Sequence, residues 1–249
     1  MLTIEEWHQR YSIQARWTES VRRFLYQKAG ITRAETILEV GCGTGVILAD
    51  LCVQSKASIF GIDLQLAALK FARPQNWAAN KACANAFHLP FASASFSITC
   101  CHYFLLWAAD PLQALLEMKR VTRPGGAILA MAEPDYGGRV DYPAALGELG
   151  TSQTRALLQQ FANPFLGRKL KSLFHQTGLQ AVEAGVLGGQ WGEPPTPEEW
   201  SSEWRVLEND IQAMLTPQRL SELKKQDQQA WQNGDRILFV PTFFAFGMV

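Results

Sequence analysis

Two spacings of apolar positions alternate along this chain. Ile4, Trp7 and Tyr11, then Trp17, Val21, Phe24 and Leu25, recur every three or four residues and predict one or two amphipathic helices up to about Gly30. Thr3 with Glu6 three positions later is a capping-box start for the first. Short apolar runs rich in β-branched residues follow, at 37–40, 58–63, more weakly near 81–84, then at 95–102, 127–132 and 179–187. Such runs read as strands buried on both faces. Helical stretches separate them, at 46–51, at 66–72 and in one that opens at Asp110-Pro111, where the aspartate is an N-cap, the proline takes the first helical position and Gln113 completes the box. Arg123-Pro124-Gly125-Gly126 breaks that helix. Further on, one helix is broken at Asn163-Pro164 and a second stops at Gly178, with Arg168, Lys169 and Lys171 as its solvated face. Residues 236–246 make a seventh strand in which Pro241 marks a bulge or an edge.

Strands that alternate with helices imply an α/β fold, here a doubly wound, seven-stranded, mostly parallel sheet. The stretch 191–235 is too long for a hairpin loop, and 198–215 and 217–231 within it look helical. The expected organisation is an N-terminal helical lid over 1–30, a core over 31–190 and 235–249, and a helical cap insertion over 191–234 before the last strand.

The first strand runs into Glu39-Val40-Gly41-Cys42-Gly43-Thr44-Gly45, with a glycine at every second position and a helix behind it. Glycine suits a turn that needs positive φ or must let a ligand lie against the main chain. The free N–H groups at the start of the helix favour the polar part of a nucleotide-like ligand. In the dinucleotide fingerprint the third glycine or alanine comes three positions after the second, and Val46 stands there. That spacing speaks against an NAD-dependent oxidoreductase, which remains an alternative.

At Glu39 to Gly45 the chain resembles the class I S-adenosylmethionine-dependent methyltransferases, and within them the small-molecule branch that includes the quinone-biosynthesis C-methyltransferases. The likeness covers 36–135 and thins after Tyr142. It implies a Rossmann-like methyltransferase fold, and methyl transfer from S-adenosylmethionine to a small-molecule acceptor, with S-adenosylhomocysteine as product. The residues implied at the cofactor are Glu39, Gly41, Cys42, Gly43, Gly45, Asp63, Leu64, Asn85, Ala86 and Cys101. Asp63 follows Gly43 by 20 residues. It stands where the family's acid takes both ribose hydroxyls, since two acceptor oxygens match a vicinal diol. Asn85 replaces a family aspartate at the adenine, where its amide can both accept and donate; the other reading is a turn cap. Ser97 replaces another family aspartate, of structural role. These two departures leave open a non-catalytic, methyltransferase-like partner subunit.

The acceptor-side candidates are His102, Glu133 and Tyr136, with Asp135 beside them, because a doubly wound sheet opens its crevice at the carboxyl ends of its strands. His102 is a candidate general base, although a lone histidine also serves as a packing residue. Glu133 and Asp135 orient the acceptor or cap the following loop. On the lid, Arg10, Tyr11, Arg16 and Trp17 are candidate contacts. The acceptor atom, whether oxygen, nitrogen or carbon, is left open.

Composition narrows the partners. At 249 residues, 47% of them hydrophobic, the chain suits one α/β domain with additions. Lys and Arg number 23, as do Asp and Glu, so no overall field draws it to nucleic acid or anionic lipid. No apolar run approaches the roughly 20 residues of a membrane span, and the N-terminus lacks a basic stretch followed by an apolar core. The expectation is a cytoplasmic protein with a small-molecule substrate, and with a homodimer as the other use of the insertion's surface. Five cysteines, two of them adjacent, fit reduced thiols, and no metal-ligand spacing occurs.

Overall fold

The computed structural model describes residues 2–72, 79–189 and 194–249. The start of the expected insertion, 191–193, lies outside them. Helix α1 (Ile4–Trp17) begins with the expected capping box between Thr3 and Glu6, and α2 (Glu19–Ala29) ends on Gly30 in the left-handed conformation. The alternating elements follow: β1 (Thr36–Val40), α3 (Val46–Gln54), β2 (Ser58–Asp63), α4 (Leu66–Phe71), β3 (Ala79–Cys83), β4 (Phe96–Cys101), α5 (Pro111–Val121) and β5 (Thr122–Pro134). The strand β5 takes in Arg123 to Gly126, which the sequence reads as a break, because the helix ends at Val121 and the chain extends at once. After it come β6 (Val140–Tyr142), α6 (Gly147–Gln159), α7 (Leu170–Gln176), β7 (Gln180–Val186), α8 (Pro197–Ile211), α9 (Pro217–Asn233), β8 (Ile237–Phe239) and β9 (Thr242–Met248).

Seven strands form one sheet in the order β3-β2-β1-β4-β5-β9-β7, parallel up to β5, with β9 antiparallel to both neighbours. The alternation of side chains along β1 shows why the sheet is apolar throughout: Leu38 and Val40 enter one core with Met118, Ile128 and Phe174, while Ile37 enters the other with Leu48, Ile59 and Leu129. Strand order reverses between β1 and β4, so the loops at their carboxyl ends diverge and leave a crevice. Ser97 keeps a structural role: its hydroxyl accepts the N–H groups of Glu35 and Thr36 at 3.2 and 3.4 Å.

The expected last strand over 236–246 is two strands. Pro241 has no N–H for a ladder, and the chain breaks there. Upstream, β8 pairs with β6 in a separate two-stranded sheet, an element the sequence pattern does not signal; downstream, β9 enters the main sheet. Helix α8 stops at Ile211 instead of 215, and Thr216 caps α9. A third core, with Leu146, Leu149, Trp204, Leu207, Ile211 and Leu223, joins α6 to α8 and α9. No described helix is long and apolar enough to cross a membrane.

Candidate active site

The glycine turn is built as its spacing requires. Gly41, Gly43 and Gly45 have φ of 74°, 50° and 81°. The N–H groups of Gly41 and Cys42 both donate to the Ile62 carbonyl at 2.9 Å, which ties the turn to β2. A Cβ at Gly41 would lie 2.3 Å from the Phe104 ring, so the position excludes any side chain. Asp63, at the end of β2, accepts from Gly43 N–H through Oδ2 and from Gln65 N–H through Oδ1, each at 2.8 Å. Its carboxylate therefore braces the turn, with lone pairs left over for a diol. From above, the Tyr11 ring of α1 lies against Gly43.

A cavity of about 400 Å³ opens here, over the strand ends and under α1 and α8. Its floor is made by Glu39, Gly41, Cys42, Gly43 and Asp63; its other walls include Arg10, Tyr11, His102, Tyr103, Tyr136 and Asp210. Seven of the expected site residues thus meet: Glu39, Gly41, Cys42, Gly43, Asp63, His102 and Tyr136. Of the lid candidates, Arg10 and Tyr11 reach the cavity. Arg16 instead pairs with Glu199 at 3.0 Å on the surface, and Trp17 is half exposed, with the Arg10 guanidinium 4.8 Å from its ring centre.

Glu39 is the residue whose chemistry is least satisfied. It is 2% exposed, and its Oε2 makes no hydrogen bond with any described group. Burial, then the neighbouring Asp63 charge, hold its carboxyl well above the usual carboxylate range. A buried carboxyl oxygen with no partner among the described residues is costly, and a cation with N–H donors is what would satisfy it. The amino group of S-adenosylmethionine fits that requirement, whereas the N–H groups of Gly41, Cys42, Gly43 and Gly45 are all taken by protein acceptors and are not the free donors the sequence leads one to expect.

The remaining expectations end up elsewhere. Glu133 is fully buried and turned into the protein: Oε1 accepts from Phe104 and Leu105 N–H at 3.0 and 2.8 Å, and Oε2 from Leu106 N–H at 3.1 Å. It caps the 3-10 turn at Leu105–Trp107 that walls the cavity, and burial raises it to about 7 against the pull of those three N–H groups. Asp135 likewise faces inward; it accepts Gly138 N–H at 3.1 Å and pairs with Arg168, whose side chain stays exposed on the expected solvated face. Cys101 is buried beside Glu133, 4.0 Å from Oε1. Asn85 is exposed and its Oδ1 accepts Phe87 N–H at 2.9 Å, the turn-cap geometry. Leu64, 72% exposed, Ala86 and Gly45, which caps α3, are outside the cavity wall.

His102 reaches the cavity but is poorly suited to take a proton. Its Nε2 lies 2.8 Å from the Thr18 hydroxyl, and burial, helped by the nearby Arg22 charge, lowers it to about 3. The ring is neutral at ordinary pH, and its affinity for a proton is too low for an efficient base. Tyr136 is raised by burial, and Tyr103 by burial to about 12, so both keep their phenolic protons.

Sequence reasoning missed the wall contributed by the insertion and α6: Leu157, Gln160, Val206 and Asp210. One signal was available for Asp210, an acid in the last turn of a helix, where the dipole disfavours negative charge.

A seven-stranded sheet with this order and a glycine turn at the switch point define a Rossmann-like fold. Residues 38–130 match the family described as "Methyltransferase domain". The chain is 32% identical over 172 residues to the O-methyltransferase rstn1 of Aspergillus nomiae, covering 67% of this chain and 73% of that one. It is 32% identical over 120 residues to the malonyl-[acyl-carrier protein] O-methyltransferase of Pseudescherichia vulneris, covering 48% of this chain and about half, 47%, of that enzyme. Among solved structures, phosphoethanolamine N-methyltransferase 2 of Haemonchus contortus, in complex with S-adenosyl-L-methionine, superposes with a TM-score of 0.60 at 16% identity, covering 92% of this chain and 52% of that one. The chain belongs to the class I S-adenosylmethionine-dependent methyltransferases. It is an enzyme that transfers a methyl group from S-adenosylmethionine to a small molecule.

Proposed function

We propose that the acceptor atom is oxygen and that Glu39, the glycine turn and Asp63 hold the methyl donor. The supporting observation is Glu39 Oε2, buried at the cavity floor without a partner. When bound, S-adenosylmethionine supplies an electrophilic methyl on a positively charged sulfur, so the chain has mainly to orient and desolvate the acceptor. Phe104, Leu106 and Trp107 give the cavity an apolar wall. Tyr136, protonated, is a donor at the cavity wall for an acceptor oxygen, while the Tyr103 hydroxyl is engaged with Thr242. The relatives named as O-methyltransferases favour oxygen over nitrogen or carbon. A quinone-biosynthesis acceptor rests on motif resemblance alone. Asn85 in its turn-cap position supports a role in shaping the loop that follows β3, and the helices α1 and α8 a role as lid and cap.

Titration calorimetry with S-adenosylhomocysteine tests the site. Binding by the wild-type chain, weakened at least tenfold by Glu39→Gln, is the expected result. Unchanged affinity in Glu39→Gln would remove the residue on which the placement depends.

A further inference from the structure

On the reading that the cavity transfers a methyl group to oxygen, we infer that Asp210 determines the acceptor's charge class, so that the enzyme takes a neutral hydroxyl compound and turns carboxylates away. Asp210 lies in the last turn of α8 and lines the cavity with Arg10, Tyr103, Tyr136 and Gln160. No basic residue shares that turn, and the helix dipole there disfavours an anion.

Among the described residues, the groups around Asp210 leave its charge without a direct counter-ion. Its hydrogen-bond donors are neutral amides: Gln153 Nε2 to Oδ2 at 3.1 Å and Gln160 Nε2 to Oδ1 at 3.4 Å. Behind Gln153, Arg139 donates to Gln153 Oε1 at 2.6 Å, but its charge is committed to Asp141 at 2.7 Å. Across the cavity, Arg10 is already paired with Glu203. Burial raises Asp210 above the usual aspartate range, with Arg10 only a minor opposing influence. Bringing a carboxylate into this compartment would set two anions together in a desolvated space.

Arg10 narrows the ligand further. It is 5% exposed, and its Nε–H has no hydrogen-bond partner among the described residues, although the side chain lines the cavity. The compartment thus offers an acceptor in the Asp210 carboxylate and donors in the Tyr136 hydroxyl and Arg10 Nε–H. A hydroxyl both donates and accepts, and so can satisfy both kinds of group together; a carboxylate can only accept and an ammonium can only donate. The rings of Tyr103 and Tyr136 favour a planar, aromatic carrier for that hydroxyl.

Phenol and benzoate share a ring and differ in this one group. Saturation-transfer NMR on the full chain loaded with S-adenosylhomocysteine should give phenol at least a tenfold affinity advantage over benzoate. In Asp210→Asn the advantage should shrink below threefold, with S-adenosylhomocysteine affinity unchanged. Equal or tighter benzoate binding by the wild type, absence of phenol binding to the loaded protein, or an undiminished preference in a folded Asp210→Asn would each overturn the proposal. If that variant does not fold, the wild-type comparison alone decides. Failure to load S-adenosylhomocysteine at all would instead sink the methyl-donor placement.

Discussion

Gly41 and Glu133 show how little freedom single positions have around this cavity. A Cβ at Gly41 meets the Phe104 ring at 2.3 Å while the backbone sits at φ 74°, so Gly41→Ala combines overlap with backbone strain. Such a change should cost about 2–4 kcal/mol in denaturant unfolding and abolish S-adenosylhomocysteine binding. Glu133 acts by holding three backbone N–H groups of the cavity wall. In Glu133→Gln one oxygen becomes an N–H₂ that faces a donor, an expected loss of about 1–3 kcal/mol. The pH dependence has a definite sign. The folded protein raises this carboxyl from 4.5 to about 7, so between those values the native state binds more protons than the unfolded one. Its contribution therefore weakens stability as pH rises from about 4.5 to about 7 and is constant on either side. Denaturation midpoints measured across that window should fall less steeply in Glu133→Gln than in the wild type.

Between elements, the roof of the cavity depends on contacts far apart in sequence. Helices α1 and α8 meet through Gln9 with Glu198 at 2.7 Å, Arg10 with Glu203, Arg16 with Glu199, and Arg205 with Glu6 and Gln9 at 3.3 and 3.0 Å. Arg205 and its acid are partly exposed, so the ion pair itself contributes no more than about 1 kcal/mol. Its removal should loosen the roof more than the fold. Arg205→Ala is expected to speed amide exchange in α1 and leave β4 and β5 as protected as before, because those strands are buried in the main sheet. Equal acceleration in the sheet would mean that the roof and the core open together. The same helices explain why the insertion matters to chemistry: α8 packs on α6 through Trp204 and Leu207, and this packing brings Asp210 over the strand ends.

For the whole molecule, the site sits where two loops diverge and the roof closes over them, so ligand binding should stabilise the native state as a unit. With S-adenosylhomocysteine at a hundredfold over its dissociation constant, the gain is about 2.7 kcal/mol. For a chain of 249 residues that corresponds to a rise of about 5–10 °C in Tm, readable by scanning calorimetry. A Tm unmoved at saturating ligand would contradict a cavity that needs both loops and roof.

Local signals made much of this legible. Thr3 with Glu6 and Asp110-Pro111 mark helix starts through groups three residues apart, and the glycine turn followed by Asp63 locates the crevice, because short-range geometry fixes both. The alternation of strands and helices, the doubly wound sheet and the floor of the site are therefore legible along the chain. Tertiary structure alone decided which acids face the cavity. Glu133 turns inward because amides 27 to 29 residues away need acceptors, and Asp210 reaches the site because α8 packs on α6, whose Gln153 is 57 residues away from it. The direction a side chain takes at a strand or helix end depends on which distant donors arrive there, and no spacing along the chain encodes that arrival.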